Sequence, residues 1–109
     1  MANYWQRGES LDYMNSGDTK IEAGAVITYG ARIGVAGCDI DPGEMGSIHV
    51  EGVFEFPKAS STAINAGVAV YWDATNSVIT TTSTNNTLAG FAAQAALSAD
   101  ATVLVKINA

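Results

Sequence analysis

Few side chains in this 109-residue chain are of the types that perform acid–base or nucleophilic chemistry. His49 is the only histidine, so a Ser-His-Asp triad would have to be assembled around it. The alternation of the neighbouring residues predicts that His49 lies on the polar face of a strand, beside Glu51 and away from Cys38. Asp39 adjoins Cys38, and a neighbouring carboxylate opposes the negatively charged, reactive form of a thiol. We therefore expect an exposed strand histidine and an unreactive loop cysteine.

Metal ligation has equally little support in the sequence. A zinc site needs three or four Cys and His ligands, and the chain has two such residues in total. Asp39, Asp41 and Glu44 surround a glycine, as the ligands of a calcium loop do, but the further ligands of that motif are missing. Pro42 fits an ordinary turn better. The sequence therefore predicts a turn here, without a metal.

Neither common phosphate-binding motif is present. Gly30, Gly34 and Gly37 do not have the G-x-G-x-x-G spacing, and Gly-Lys-Ser/Thr does not occur. These residue patterns predict a protein that is not an enzyme and has no cofactor. Its function must therefore be sought on its surface.

Charge limits the partners that this surface can bind. The formal net charge is −6, and the five basic residues are scattered, whereas nucleic-acid binding needs clustered Lys and Arg. Residues 1–57 carry nine acidic and three basic side chains, whereas residues 58–109 carry two of each. We therefore expect no nucleic-acid partner, and we interpret Glu44, Glu51 and Glu55 as a candidate electrostatic surface.

The chain also lacks the features of a membrane or disulfide-rich protein. Its single cysteine excludes an intrachain disulfide, and no apolar run approaches the roughly 18 residues of a membrane span. The first residues lack a basic stretch followed by an apolar core. We expect a protein without a membrane partner, made and kept in a reducing cytoplasm or assembled there into a larger structure.

A tetrapeptide that recurs three times indicates the fold. It begins at Ile21, Ile40 and Ile64, and each copy ends in a glycine that can adopt positive φ in a tight turn. The pattern predicts strands over 11–14, 26–29, 32–36, 47–56, 68–72, 77–81, 88–96 and 102–107. The Ala-rich segment 88–96 also allows a helix by propensity, but Gly90-Phe91-Ala92 matches Gly34-Val35-Ala36.

These elements predict an all-β fold with internal pseudo-duplication. The segments at 21, 33 and 48 align with those at 64, 89 and 103. We predict a small open barrel or a bent-ribbon (β-clip-like) sandwich, in which residues 11–109 form a single β-domain. Residues 1–10 show no periodicity and are predicted to be an extended N-terminal arm.

The arm contains the strongest candidate for an interface. Tyr4 and Trp5 are adjacent and precede the first predicted strand, and such aromatic pairs anchor many interfaces. The alternative is that the arm folds back and both rings seal the end of the β-domain. The candidate interface residues of the arm are Asn3, Tyr4, Trp5, Gln6 and Arg7.

Several segments resemble one family of small tailed-bacteriophage proteins. They are the opening Met-Ala-Asn-Tyr, residues 8–13, the turn at Ile21, residues 51–59, the Ala-Gly-Val-Ala-Val-Tyr-Trp-Asp block at 66–73, residues 90–92 and the closing strand. The family is that of the capsid cement, or head decoration, proteins, some of which are labelled recombinases. The missing phosphate loop contradicts that label for this chain.

The resemblance implies a virion protein that binds the outside of the phage capsid and bridges subunits of the major capsid protein. It also implies a homotrimer at threefold or quasi-threefold positions, and for some members a bent β-ribbon fold. A small β-module that binds host-surface glycans or another virion protein stays open as the alternative, with Tyr71 or Trp72 as the glycan-binding aromatic residue.

Overall fold

The computed structural model describes residues 1–3 and 8–109, and this part of the chain contains nine β-strands and no helix. The strands are β1 (Ser10–Met14), β2 (Val26–Tyr29), β3 (Arg32–Ala36), β4 (Met45–His49), β5 (Val53–Pro57), β6 (Ala69–Asp73), β7 (Val78–Thr80), β8 (Thr87–Ala92) and β9 (Thr102–Ile107). Within the described ranges, no helix is long and apolar enough to span a membrane.

The strands form two antiparallel sheets. The first sheet has the order β1-β4-β3-β2, and the second has the order β5-β9-β8-β6-β7. The predicted all-β class is confirmed, in the form of an open, sandwich-like arrangement and not a closed barrel. One isolated parallel bridge, between Lys58 and Ile79, connects the end of β5 to β7 across the opening of the second sheet.

Most of the predicted strands are confirmed. β2, β3 and β9 have the predicted bounds, and the β6–β7 hairpin lies where its turn residues indicated. Segment 88–96 is a strand as predicted, although β8 runs from Thr87 only to Ala92. The first strand begins at Ser10, one residue earlier than predicted.

The long strand predicted over 47–56 is wrong. It is two strands, β4 and β5, which belong to different sheets. The period-two pattern continues through the break, but Gly52 has φ of 122°, which interrupts the extended backbone. The link is fixed to the end of β9, because Ile107 donates its amide to the Gly52 carbonyl at 3.0 Å.

The pairing registers show that the second sheet repeats the first. An offset of 43 residues takes Ser10 to Val53 and thus relates β1 to β5. The same offset relates β2 to β6. β3 corresponds to β8, with Val35 at the position of Phe91, and β4 corresponds to β9. β7 is the only described strand of the second sheet that has no counterpart in the first.

This correspondence confirms the predicted duplication and corrects one detail. Residues 33–36 align with 89–92 as predicted, but segment 48–50 aligns with 105–107 and not with 103–105. The offset between the units is 56 residues from β3 to β8 and 57 residues from β4 to β9, so the second unit has one additional residue between these two strands. We call residues 10–49 the first unit and residues 53–107 the second unit.

The recurring turns connect the strands within each unit. Gly24, Gly43 and Gly67 have φ of 87°, 81° and 84°, so each turn needs the glycine that the tetrapeptide supplies. The turn residues pair with one another: Ile21 bridges to Ile40, and Ile64 bridges to Ala96. The last bridge reveals a fourth turn at the equivalent position, residues 96–99, which has neither a glycine nor a positive φ and in which the Asp100 amide donates to the Leu97 carbonyl at 3.0 Å.

Two hydrophobic clusters stabilise the molecule. The larger cluster lies mainly among strands of the second unit and also receives Ile33 and Val35 of β3, so it joins the two sheets. The smaller cluster contains the buried residues Ile27, Ala36 and Ile48 of the first unit. The two units are also joined by Asn108, whose side chain exchanges hydrogen bonds of 3.2 and 2.8 Å with the backbone of Ile33.

Candidate interaction surface

The two units contain equivalent pairs of aromatic rings. In the first unit, the rings of Tyr13 and Tyr29 lie 6.2 Å apart at an interplanar angle of 63°. In the second unit, Phe56 and Trp72 lie 6.1 Å apart at 57°. The offset of 43 residues takes Tyr13 to Phe56 and Tyr29 to Trp72. Both units therefore place two inclined aromatic rings in contact at equivalent positions, on β1 and β2 in the first unit and on β5 and β6 in the second.

Only one of these aromatic pairs is covered. Trp72 is 8% exposed, and Ile79 of β7, which pairs with it, is fully buried. Tyr29 is 42% exposed, and the first unit has no described strand at the position that corresponds to β7. Tyr13 is half-buried. The edge of the first sheet thus presents aromatic surface that the second sheet hides.

Two methionines form a separate exposed apolar pair on the first sheet, on the face opposite to Tyr13, because adjacent side chains of a strand point to opposite faces. Met14 of β1 and Met45 of β4 are directly opposite each other in the strand register. Their exposures are 46% and 58%, so neither contributes its full apolar area to the core. Methionine is flexible and polarizable, which suits it to contacts with a partner surface.

A buried polar residue holds the loop after the first strand of each unit. In the first unit, Asn15 Nδ2 donates to the carbonyls of Thr19 and Ile40, at 2.9 and 3.0 Å. In the second unit, Lys58 occupies the equivalent position. Its Nζ donates to the carbonyls of Ala59, Thr62 and Ser98, at 3.0, 2.6 and 3.3 Å. The sequence analysis missed both of these hydrogen-bonding side chains. Asn and Lys are chemically different, and only the superposition of the two units shows that they occupy equivalent positions.

The three candidate acidic residues are all exposed, but they lie on separate elements. Glu44 precedes β4 and Glu51 follows it, so a strand about 17 Å long separates them. Glu55 lies in β5 of the other sheet, where it accepts a hydrogen bond from the Thr102 hydroxyl at 3.2 Å. The structure therefore distributes these charges over the surface and does not gather them into one cluster.

The candidate residues of the arm are only partly described. Asn3 is exposed, whereas Tyr4, Trp5, Gln6 and Arg7 lie outside the described residues. The prediction that this segment contacts another subunit therefore stays a prediction.

The position of His49 differs from the prediction. It is half-buried, with Nδ1 at 3.2 Å from the Ser10 hydroxyl and its ring 5.7 Å from that of Phe54. The prediction of an exposed histidine was wrong because β4 ends at this residue and the chain turns back over it into β5.

The acidic loop after β3 has a structural explanation. The Asp39 carboxylate accepts the Ala23 amide at 2.8 Å and lies 3.4 Å from Lys20 Nζ. The amide hydrogen bond, and then Lys20, lower the pKa of Asp39 below its usual value. Asp39 therefore connects the first recurring turn to the loop that contains Cys38. The Cys38 side chain is exposed. Nowhere in the described ranges do three His, Cys, Asp or Glu side chains lie close enough together to hold a metal ion.

The β6–β7 turn is formed as its sequence predicted. Asp73 accepts the Thr75 and Asn76 backbone amides, at 3.0 and 3.2 Å, and the Asn76 side-chain amide at 2.8 Å. The hydrogen bonds from Asn76 lower the pKa of Asp73. This turn connects β6 to β7 and thereby places β7 beside β6.

The exposed pairs Tyr13–Tyr29 and Met14–Met45 were missed as surface candidates. A signal for the first pair is present in the sequence, since aromatic residues recur 43 positions apart at 13 and 56 and at 29 and 72. Whether a strand covers such a pair depends on the additional segment between β6 and β8, which contains β7. The 43-residue spacing does not show where this segment lies in three dimensions.

The structure is a two-unit β-protein whose distinctive features are exposed sheet edges and exposed apolar side chains. These features are typical of binding or structural modules. A family described as phage cement protein matches residues 5–107, so the chain belongs to that family. The resemblance stated from the sequence is thereby confirmed. The family indicates a structural role in association with the phage capsid. No curated protein and no solved structure matches this chain.

Proposed function

We propose that this chain is a structural, non-enzymatic virion protein that binds the outer surface of the capsid and stabilises it by bridging subunits of the major capsid protein. The family match over residues 5–107 is the observation that carries this proposal. A repeating capsid lattice offers many equivalent sites, so modest individual contacts are sufficient to reinforce the shell. We place its synthesis in the host cytoplasm, before it joins the virion.

The surface of the first unit supports this proposal. Tyr29, Met14 and Met45 are exposed there, and large apolar side chains of this kind contribute much of the energy of protein interfaces. In addition, β1 and β2 are the edge strands of their sheet, so their backbones are suited to strand addition by a neighbouring chain. We propose that the protein acts as a homotrimer at threefold or quasi-threefold positions of the lattice.

Co-sedimentation of the purified protein with undecorated phage heads tests the proposal. We expect saturable binding, with a number of bound copies that matches the lattice, and heads that resist mechanical or thermal disruption better when decorated. Absence of binding to every capsid form would contradict the cement function, and glycans of the host surface would then be the first ligands to examine.

The N-terminal arm has a separate role in the proposal: residues Asn3 to Arg7 contact a neighbouring subunit. Removal of residues 2–7 is expected to weaken binding to heads while the β-domain stays folded, because the described strands begin only at Ser10. Binding is measured by co-sedimentation, and folding by circular dichroism and thermal unfolding. Unchanged binding of the truncated protein would show that the arm is not an anchor.

A further inference from the structure

β7 shows how a third segment completes the second unit. Its three residues pair antiparallel with β6, and Ile79 lies opposite Trp72. On its other side, β7 reaches the end of β5, where the Ala59 amide donates to the Ile79 carbonyl at 2.9 Å. One short strand thus contacts β6 on one side and the end of β5 on the other, and its central residue, Ile79, is buried beside the Phe56–Trp72 pair.

The corresponding position in the first unit contains no described strand. The offset of 43 residues takes Tyr71, Trp72 and Asp73 back to Thr28, Tyr29 and Gly30, the end of β2 and its turn. It likewise takes the edge formed by Lys58 and Ala59 back to Asn15 and Ser16.

The chain cannot supply this strand from the β2–β3 connection. β2 ends at Tyr29 and β3 begins at Arg32, so only Gly30 and Ala31 join them. In the second unit, the connection from β6 to β8 is long enough to include β7. Among the described residues, the first unit therefore has the aromatic pair and both strand edges but no segment that covers them.

Charge disfavours contact between the first units of two copies as the way to fill this position. The first unit, residues 10–49, carries six acidic and two basic side chains. Two copies that met through this unit would bring like charges together, which opposes association. The acidic balance of the unit as a whole favours a neutral or basic segment from a different chain, although Arg32 lies opposite Tyr29 in the β2–β3 register.

We propose that the edge of β2 at Thr28, Tyr29 and Gly30 accepts an extended, neutral or basic segment of a capsid subunit. The segment runs antiparallel to β2, and a β-branched aliphatic side chain at its centre covers the Tyr13–Tyr29 pair as Ile79 covers Phe56–Trp72. This inference rests on the proposed function, and it names the contact through which the capsid is held. Backbone pairing at a sheet edge supplies affinity, and the side-chain position supplies specificity.

Photo-cross-linking locates the occupant directly. Tyr29 is replaced by p-benzoylphenylalanine, the protein is bound to phage heads, and cross-linked peptides are identified by mass spectrometry after irradiation. The matched control places the same amino acid at Leu97, an exposed apolar residue outside the site, at 72% exposure. We expect a cross-link from position 29 to an extended capsid segment with a β-branched aliphatic residue, and no cross-link to that segment from position 97.

Affinity provides a second readout that does not depend on cross-linking yield. Tyr29→Ser should weaken binding to heads by at least about tenfold, as expected when an aromatic anchor is removed, whereas Tyr29→Phe should retain it. Leu97→Ser should change binding by less than about twofold, as is usual for surface substitutions. Thermal unfolding of each variant confirms that the domain is intact.

The outcomes separate this inference from the proposed function. Suppose that the wild-type protein binds heads but position 29 cross-links to a second copy, to the same chain, or to nothing. This result would overturn the inference and would not contradict the cement function. Wild-type binding that Tyr29→Ser does not weaken would also overturn it. Failure of the wild-type protein to bind heads would overturn the proposed function and this inference with it.

Discussion

At the scale of single residues, Lys58 is the most unusual side chain in the described structure. It is one of two buried polar or charged residues in that part of the chain, and its ammonium donates to three backbone carbonyls. A buried charge is tolerated when hydrogen bonds replace its hydration. The equivalent Asn15 performs the same function with a neutral amide. The fold therefore requires a donor at this position and does not specify its charge.

This requirement leads to a stability prediction. Lys58→Met keeps the apolar stem and removes the donor, so the three part-buried hydrogen bonds to the carbonyls of Ala59, Thr62 and Ser98 are lost. We expect the free energy of unfolding to fall by about 2–4 kcal/mol. The measurement is urea unfolding followed by tryptophan fluorescence.

Lys20→Met is the matched control for this experiment. Lys20 is exposed, and its ion pair with Asp39 is of the surface kind, worth about 0–1 kcal/mol. Equal effects of the two substitutions would mean that the hydrogen bonds from Lys58 to the three carbonyls do not stabilise the fold.

At the scale of elements, equivalent positions in the two units are not under equivalent constraints. Gly34 of β3 and Gly90 of β8 correspond to each other in the repeat. A Cβ on Gly90 would meet the Lys106 backbone carbonyl, and this residue has φ of 146°, which L side chains rarely adopt. A Cβ on Gly34 would instead meet the Ile48 side chain, with Cδ1 at 2.8 Å. The same residue type is thus needed for two different physical reasons.

The two glycines allow a matched pair of substitutions. Gly34→Ala should reduce stability by about 1–3 kcal/mol, the usual effect of overpacking, because the Ile48 side chain can shift. Gly90→Ala should cost more than about 3 kcal/mol, since the backbone strain adds to a clash with a carbonyl that cannot move without breaking the sheet. Chemical denaturation of both variants measures the difference. A larger effect at Gly34 would show that the backbone approach at Gly90 is not the tighter constraint.

At the scale of the whole molecule, acidic charge is concentrated in the first part of the chain, whereas exposed apolar side chains occur in both units. Nine of the eleven acidic residues lie in residues 1–57, and the first unit holds the open aromatic pair and the Met14–Met45 pair. The second unit exposes Val53, Val68 and Leu97, and it contributes most of the larger core. The second unit therefore holds most of the larger core, and the feature that distinguishes the surface of the first unit is its exposed aromatic pair.

The charge asymmetry predicts a salt-dependent association with capsids. If Glu44, Glu51 and Glu55 face a basic capsid surface, raising the salt concentration should weaken binding, because the screening length falls from about 10 Å at 0.1 M to about 3 Å at 1 M. Replacing all three by Gln should make binding weaker at low salt and less dependent on salt. Head co-sedimentation over a range of NaCl concentrations measures both effects.

Glu22→Gln is the control for this prediction, because Glu22 is exposed and acidic but outside the candidate set. Binding that does not change with salt in the wild-type protein would contradict the electrostatic role of these residues.

Much of the architecture could be predicted from local sequence. The glycines of the recurring turns and the alternation in β9 act over a few residues, so the turns and several strand bounds are correct. The duplication was also visible, because turn spacing and residue type recur along the chain. The break between β4 and β5 was missed, since hydrophobic alternation reports which face is apolar and not whether the backbone stays straight.

The sequence by itself determined the all-β class, the repeated turn, the lack of a catalytic constellation in its residue types and the resemblance to the cement family. Local backbone preferences and residue types fix these properties, so they can be seen without coordinates. Only the tertiary structure decided that Lys58 and Asn15 are equivalent and that one aromatic pair is covered while the other is open. These properties depend on contacts between residues far apart in the chain, such as those of β7 with both edges of its sheet, and no local pattern encodes such contacts.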